Sequence, residues 1–532
     1  MAQQGNSGTF IRSSLLILVA AQALISCGGG GGGGGSTSAS SSSGSTGSST
    51  WTAGVFQDAS IFKSMCAVPI AGTRQGTATD ENNFLRSYSN DTYLWYNEIV
   101  DRNAALYSTP AYFDLLKTTA LTSSGNAKDK FHFSMSTAEW NALSQSGVSA
   151  GYGAQFAIIQ STVPRLIKVA YTEPGTPATA IGANLVRGEE ILTVDGLNVT
   201  NSSNSNALNA ALFPDTAGET HTFSVRALNS TVRTFSMQSA VITSAPVQNV
   251  STIPTIMGNV GYMLFNDHIA TAEGALVNAV RTLGNSGITD LVVDIRYNGG
   301  GFLDIASEFA YMIAGPARTA GRTFEAIKFN NKHPLINPVT KQTLLPVPFF
   351  NRSLGFDPSL PAGTLLPNLN LARVYVLTGA DTCSASESII NSLRGVNFNV
   401  IQIGSTTCGK PYGFYPTDNC GTTYFTVQFQ GVNAAGFGDY TDGFSPANTT
   451  TNIGTPVPGC SVRDDFNNTL GNSAEARLAA ALNHRITGAC PAASGISTRS
   501  LADSVTAPVA ELPTDDMFVP KTFWQQNRIM SP

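Results

Sequence analysis

Apolar and polar positions follow three successive patterns along the chain. From residue 61 to 146, "ENNFLRSYSNDTYLWYNEIV" (81–100) and "PAYFDLLKTTAL" (110–121) repeat apolar residues at three- and four-residue spacings, which predicts helices. From 148 to 244 short alternating runs are broken by glycine: "GYGAQFAII", "RLIKVAY", "GEEILTVDG", "THTFSVRAL" and "VRTFSMQ". These read as β-strands in a small β-rich unit. From about 255 strand and helix alternate. "NVGYMLF" (259–265) is a strand, and "EGALVNAVRTL" (273–283) a helix with Leu276, Val280 and Leu283 on one face. "DLVVDI" (290–295) is a buried strand that runs into "RYNGGG", followed by the helical "FLDIASEFAYMI". "RVYVLTG" (373–379), "SASESIINSLRG" (384–395) and "FNVIQIG" (398–404) repeat the alternation. Continuous apolar strands separated by helices imply a mostly parallel sheet, buried on both faces.

Composition narrows what such a chain can do. At 532 residues it exceeds one ordinary domain. Apolar residues make up 42%, enough for real cores, while charged residues are only 12%. The net charge of −5, with 30 Lys and Arg and no basic stripe, excludes nucleic acid as a partner. No CxxC or HExxH occurs and the histidines are scattered, so neither a metal nor another cofactor is expected.

The N-terminus points to export. Arg12 precedes an apolar run from Leu15 to Ile25, too short for the ~20 residues of a membrane span and suited to a secretory signal. The run closes on "LISC", which resembles a bacterial lipobox, with Cys27 as the lipidated first residue of the mature chain. Gly28–Gly35 and a Ser/Thr/Gly/Ala stretch then read as a flexible tether, reaching roughly 30 Å from the membrane. Gly28 is not the aspartate associated with inner-membrane retention, so an outer-membrane location facing the periplasm is expected. In that oxidising setting the remaining cysteines should pair. Proximity favours Cys408–Cys420 and Cys460–Cys490, leaving Cys66 and Cys383.

"DTCSASE" (381–387) carries the candidate chemistry. Ser384 falls after a strand and at the start of a helix, on the sheet edge where active sites collect. The helix N-terminus offers amide donors and partial positive charge to an oxyanion. The structural alternative is an N-cap, with Glu387 three residues on completing a capping box. Lys410 follows the next strand, so a βαβ crossover can bring it to Ser384, where desolvation would make it a general base. Two motifs are rejected. "GVSAG" around Ser149 fits a nucleophile elbow but is followed by a β-like run. "GSTTCGKP" (404–411) has Pro411 where a phosphate loop needs a hydroxyl.

"DLVVDIRYNGGG", "DTCSASE" and "GSTTCGK" together resemble the carboxyl-terminal processing (tail-specific) serine peptidases. The resemblance implies Ser384 as nucleophile, Lys410 as base 26 positions later, and an oxyanion hole from the amides of Gly300, Gly301 and Ala385. It implies further that "SAGYGAQF…GEEILTVDG" is a PDZ domain. Gly151, Tyr152, Gly153 and Ala154 would capture a peptide carboxylate, and the next strand would accept the peptide by β-augmentation. Gly395 stands where some members carry an aspartate and Phe414 where others carry a glutamine, which leaves Glu387 as the candidate orienting residue. Cys383 and Cys408 flank the dyad closely enough for a disulfide to touch the site.

The expected architecture is multidomain α/β: a lipoprotein signal peptide (1–26), tether (27–60), N-terminal helical domain (61–146), PDZ domain (147–244), parallel or mixed-sheet α/β serine-protease core (245–490) and C-terminal tail (491–532). The expected partners are proteins or peptides with a free C-terminus and, through the lipid, a membrane. The rival class is a non-catalytic envelope lipoprotein that binds peptides or scaffolds partners; retention of both Ser384 and Lys410 argues against it.

Overall fold

The computed structural model describes residues 51–450 and 453–491, together with the backbone of a short strand at Arg528–Ile529. The signal peptide, Cys27, most of the tether and most of the tail lie outside the described residues.

The N-terminal part is helical, with shorter helices than the periodicity predicts. Helix α1 (Ala78–Thr92) opens on a capping box: Asp80 N–H donates to Thr77 Oγ1 at 3.2 Å and Thr77 N–H donates to Asp80 Oδ2 at 2.9 Å. Phe84 and Leu85 of α1 pack on Tyr112 and Phe113 of α2 (Thr109–Asp114), which ends after six residues. Helix α3 (Thr137–Ser146) is stopped by Gly147 at φ +63°. Residues within the expected tether are held to the helical segment: Arg86 donates to the carbonyls of Thr52 and Val55, and Gly54 N–H to Asp101.

Five antiparallel strands follow: β1 (Ala154–Gln160), β2 (Leu166–Thr172), β3 (Glu190–Val194), β4 (Thr220–Arg226) and β5 (Val232–Gln238), in the order β5-β4-β3-β2-β1. Alternate residues Ile167, Val169, Ile191, Val194, Phe223 and Val225 form their core with Leu208 and Leu212 of α4 (Ser205–Leu212). Ser149 lies in a strand (Val148–Gly151) paired to Ala240–Thr243, with no helix after it, so "GVSAG" is no elbow.

The main sheet contains β6 (Val247–Ile253), β7 (Asn259–Phe265), β8 (Ile288–Asp294), β10 (Arg373–Thr378), β11 (Asn399–Gly404) and β12 (Gly459–Ser461), in that spatial order. Strand β9 (Gly301–Phe302) lies outside it. All neighbours are parallel except the β6–β7 edge pair. On one face Met263, Phe265, Leu291, Val293, Val374 and Val376 meet helices α5 (Ala272–Asn285), α6 (Leu303–Ala314) and α7 (Ala385–Gly395). On the other, Tyr262, Leu264, Val292, Tyr375 and Leu377 meet Leu478 and Ala481 of α8 (Ala476–Thr487). Both faces are covered, which is why these strands read as unbroken apolar runs. Adjacent strands β8, β10 and β11 release three loops at one edge, carrying Gly300 and Gly301, Ser384, and Lys410.

Three disulfides join Cys66–Cys420, Cys383–Cys408 and Cys460–Cys490. The expected Cys408–Cys420 pair does not form. Residues 422–425 pair with Phe133–Ser136, and Asn419 accepts a hydrogen bond from Ser64 N–H, which delivers Cys420 to the N-terminal segment and its partner Cys66.

Candidate active site

Ser384 precedes α7 in a conformation rare for a residue with a side chain, φ +60° and ψ −116°. Such backbone costs on the order of 1–3 kcal/mol and persists only where its surroundings impose it. Here the flanks are fixed: Cys383 N–H donates to Asn298 O at 3.1 Å, Ser386 Oγ–H donates to the same carbonyl at 3.0 Å, and Cys408 N–H donates to Thr382 O at 3.0 Å. Ser384 Oγ is buried and accepts no hydrogen bond.

Glu387 holds Ser384 and Lys410 by their main chains. Its Oε2 accepts from Ser384 N–H at 2.9 Å and from Lys410 N–H at 2.8 Å; its Oε1 accepts from Gly409 N–H at 2.8 Å and from Thr407 Oγ1–H at 2.5 Å. The N-cap reading is therefore half realised: Glu387 reaches back to the cap amide, while the serine hydroxyl leaves the helix unserved. Burial raises the Glu387 carboxyl above its usual value, opposed by its hydrogen bonds to Thr407, Lys410, Gly409 and Ser384. The Cys383–Cys408 disulfide clamps the same two loops one residue before the serine and two before the lysine. At Gly409, φ +82°, an added Cβ would sit 2.2 Å from Thr441 O, so only glycine turns the chain here.

Lys410 is fully buried. Desolvation pushes its ammonium well below the ordinary lysine value, and the fields of Asp129 and Glu387 only partly oppose this. Nζ lies 4.8 Å from the Phe131 ring centre and 4.4 Å from that of Phe414. Asp129 is itself held by Tyr93 O–H at 2.6 Å and by Phe131 N–H at 2.9 Å, and Lys130 Nζ donates to Cys408 O at 3.0 Å. Asp129, Lys130 and Phe131 were not singled out from sequence. Their only local signal is a cluster of charges, "KDKFHF", in a charge-poor chain.

The glycine loop is organised by Asn298. Its Nδ2–H donates to Phe265 O at 2.9 Å, which fixes the amide orientation, and its Oδ1 accepts Gly300 N–H at 2.9 Å. His268 Nδ1 lies 3.0 Å from the same oxygen and therefore carries the proton. Burial lowers the His268 pKa to about 3, so the ring is neutral. Gly300's amide is thus committed to Asn298 in this state, whereas Ala385 is the first residue of α7, where amides lack helical acceptors. Gly301, at φ +130°, approaches so closely that a Cβ would lie 2.5 Å from His268 O.

Gly151, Tyr152, Gly153 and Ala154 line a cavity of about 700 Å³ between β1, α3 and the end of α4. Gly153, at φ +74°, would place a Cβ 2.4 Å from Thr176. The Tyr152 ring belongs to the β-domain core, its hydroxyl donating to Ala211 O at 2.8 Å, so it is the main chain of this loop that borders the cavity. Glu173 and Asp267 line it as well, and burial raises their carboxyls to about 7 and about 8.

Residues 259–414 match the model of peptidase family S41. The stretch runs from β7 to Phe414 and includes every residue assigned above to the dyad and the glycine loop. This region of the chain is an S41 peptidase domain. The carboxyl-terminal-processing protease of Picosynechococcus sp. (strain ATCC 27264 / PCC 7002 / PR-6) is 25% identical over 270 residues, which is 50% of this chain and 56% of the relative. The chain thus spans little more than half of that relative. A crystal structure assigned as an S41 protease of Bacteroides fragilis NCTC 9343 is 24% identical, covers 76% of this chain and 97% of its own, and superposes with a TM-score of 0.54. The photosystem II D1 C-terminal processing protease, at 19% identity, covers 76% of this chain and all of its own with a TM-score of 0.43. The mixed α/β architecture is that of S41 proteases.

Proposed function

We propose that the chain is an exported, lipid-anchored serine endopeptidase that cleaves protein substrates held near their C-terminus. The observation that carries the reading is the Glu387 carboxylate, one oxygen of which binds the amides of both Ser384 and Lys410. Two chemically paired residues, 26 positions apart, are fixed against one atom at the mouth of a parallel sheet.

In this mechanism Lys410, neutral because it is desolvated, accepts the Ser384 hydroxyl proton as Oγ bonds to the substrate carbonyl carbon. The negative charge that develops on the carbonyl oxygen is met by amides of Ala385 and the glycine loop, a contribution of about 3–4 kcal/mol per donor at comparable sites. The Lys410 ammonium returns the proton to the leaving amine as the peptide C–N bond breaks. Water, deprotonated in turn by Lys410, then releases the acyl group. Activity should fall as pH drops through the depressed Lys410 pKa, since a protonated amine cannot take the serine proton.

The cavity beside Gly151–Ala154 suits the end of an extended peptide, with β1 as the strand it would join, and this supports a PDZ-like role. The short apolar run before Cys27 supports export and lipidation to a bacterial envelope, facing the periplasm. The test is cleavage of an unfolded protein by a soluble form beginning at Trp51, beside Ser384→Ala and Lys410→Ala. Loss of cleavage in both folded variants supports the dyad. Equal silence of all three, with retained binding of a peptide ending in a free carboxylate, would turn the reading to a binding protein.

A further inference from the structure

Strand β9 (Gly301–Phe302) has two edges. On one, His268 N–H donates to Gly300 O at 3.0 Å and Phe302 N–H donates to His268 O at 2.9 Å. Main-chain groups alternate in direction along a strand, so Gly301's own N–H and C=O face the other way. That second edge is filled by β13 (Arg528–Ile529), parallel to β9, with Gly301 opposite Arg528 and Phe302 opposite Ile529. The Cα atoms of β13 also come within 8 Å of those in Tyr412–Gly413, two residues beyond Lys410. Arg528 and Ile529 therefore lie against the glycine loop on one side and beside the lysine loop on the other.

We infer that the Gly301 edge is the strand-binding site for the peptide entering the cleft, and that the chain's own strand Arg528–Ile529 is its resident occupant. The inference rests on the peptidase reading and deepens it by naming a ligand of that site. Two observations carry it. The edge is that of the residue expected to stabilise the oxyanion, so whatever pairs with Gly301 takes up the main-chain groups a substrate would meet. Ser384 and Lys410 are both fully buried, so an incoming carbonyl reaches Oγ only when a covering element leaves, and β13 lies against the glycine loop and beside the lysine loop. A tethered strand competes at high effective concentration without needing high intrinsic affinity. Substrate binding is reduced by the fraction of molecules in which the strand is seated.

The test separates binding from catalysis. In a Ser384→Ala background, a fluorescent peptide of residues 521–532 (KTFWQQNRIMSP) is titrated against the full chain, against a chain ending at Asn527, and against Ile529→Pro. The register aims the Ile529 amide at Gly301 C=O, and proline has none to give. The expected result is saturable binding to the shortened chain and to Ile529→Pro, at least tenfold tighter than to the full chain. In the Ser384 enzyme the same two changes should raise kcat/KM for a reporter peptide several-fold, and the free peptide should inhibit the shortened enzyme competitively. Equal binding to all three forms, or none to the shortened chain, overturns the inference. If no form cleaves, the peptidase reading fails while the binding result still decides this one. Unchanged thermal melting keeps loss of fold out of the comparison.

Discussion

Within "RYNGGG" (296–301), the first two residues and three of the remaining four join assemblies of opposite character. Arg296 is fully buried among carboxylates: Nε to Asp294 at 2.9 Å, Nη1 to Asp464 at 2.6 Å and to Glu475 at 2.8 Å. Tyr297 O–H donates to Asp464, and Arg187, from the β-rich unit, donates to Asp464 at 2.6 Å and to Tyr297 at 2.7 Å. Full charges meet here and tie the β-rich unit to the main sheet. Asn298, Gly300 and Gly301 instead join amides, carbonyls and a neutral histidine, and across the cleft Glu387 spends both oxygens on main-chain and hydroxyl donors. The ionic cluster supplies attachment. The neutral set supplies position.

Arg296→Ala should break the first assembly most severely. Three buried carboxylates lose their shared cation, a loss of about 3–5 kcal/mol in denaturant unfolding, with activity per folded molecule retained. Burial pushes the Asp464 carboxyl up, but Arg296, Arg477 and Arg187 outweigh it and hold it below its usual value. Its contribution is therefore present above the unfolded carboxylate value, about pH 4, and is lost in stronger acid as pH falls through the folded value. Removing the Cys383–Cys408 disulfide by a double serine substitution should cost about 3 kcal/mol and lower activity as well, because the clamped loops carry the proposed dyad.

Glu387→Gln sharpens the contrast. One of its two terminal atoms becomes a donor facing donors, and displaced loops should reduce kcat about 100-fold with a smaller change in melting. Lys410→Met should abolish turnover yet stabilise the fold by about 0.5–2 kcal/mol at neutral pH, read by chemical denaturation. The sign follows from its lowered pKa: the unfolded chain binds the extra proton, so wild-type stability rises with pH between the folded value and about 10.4. The gain from methionine should therefore shrink toward alkaline pH. The smallest effect concerns the cavity. Glu173 at about 7 and Asp267 at about 8 are protonated in mild acid, so binding of a peptide carboxylate should weaken severalfold from pH 6 to 9, measured by fluorescence anisotropy.

The main sheet was legible because its strands are apolar on both faces and its helices carry one apolar stripe; β7, β8, β10 and β11 fall where "NVGYMLF", "DLVVDI", "RVYVLTG" and "FNVIQIG" stand. That the loops of Ser384 and Lys410 open at one edge was legible because they follow consecutive parallel strands. Short-range rules failed where the chain returns from far away. Cys66 finds Cys420 across 354 positions, whereas sequence proximity favoured Cys408 as the partner of Cys420. Phe131 and Asp129 reach Lys410 from a segment with no periodicity to advertise it. The end of the tether was misplaced for a related reason: Thr52 and Val55 are held by Arg86 in a helix that lies beyond them.

The Cys66–Cys420 bond has one more consequence. It encloses the helical segment, the β-rich unit, Ser384, Lys410 and the Cys383–Cys408 bridge in a single covalent ring. A cut anywhere between residues 66 and 420 opens the ring without releasing a piece. A nicked molecule would run as one band on a non-reducing gel and as two fragments after reduction. In a compartment shared with other proteases, such a molecule is damaged only on paper until a reductant arrives.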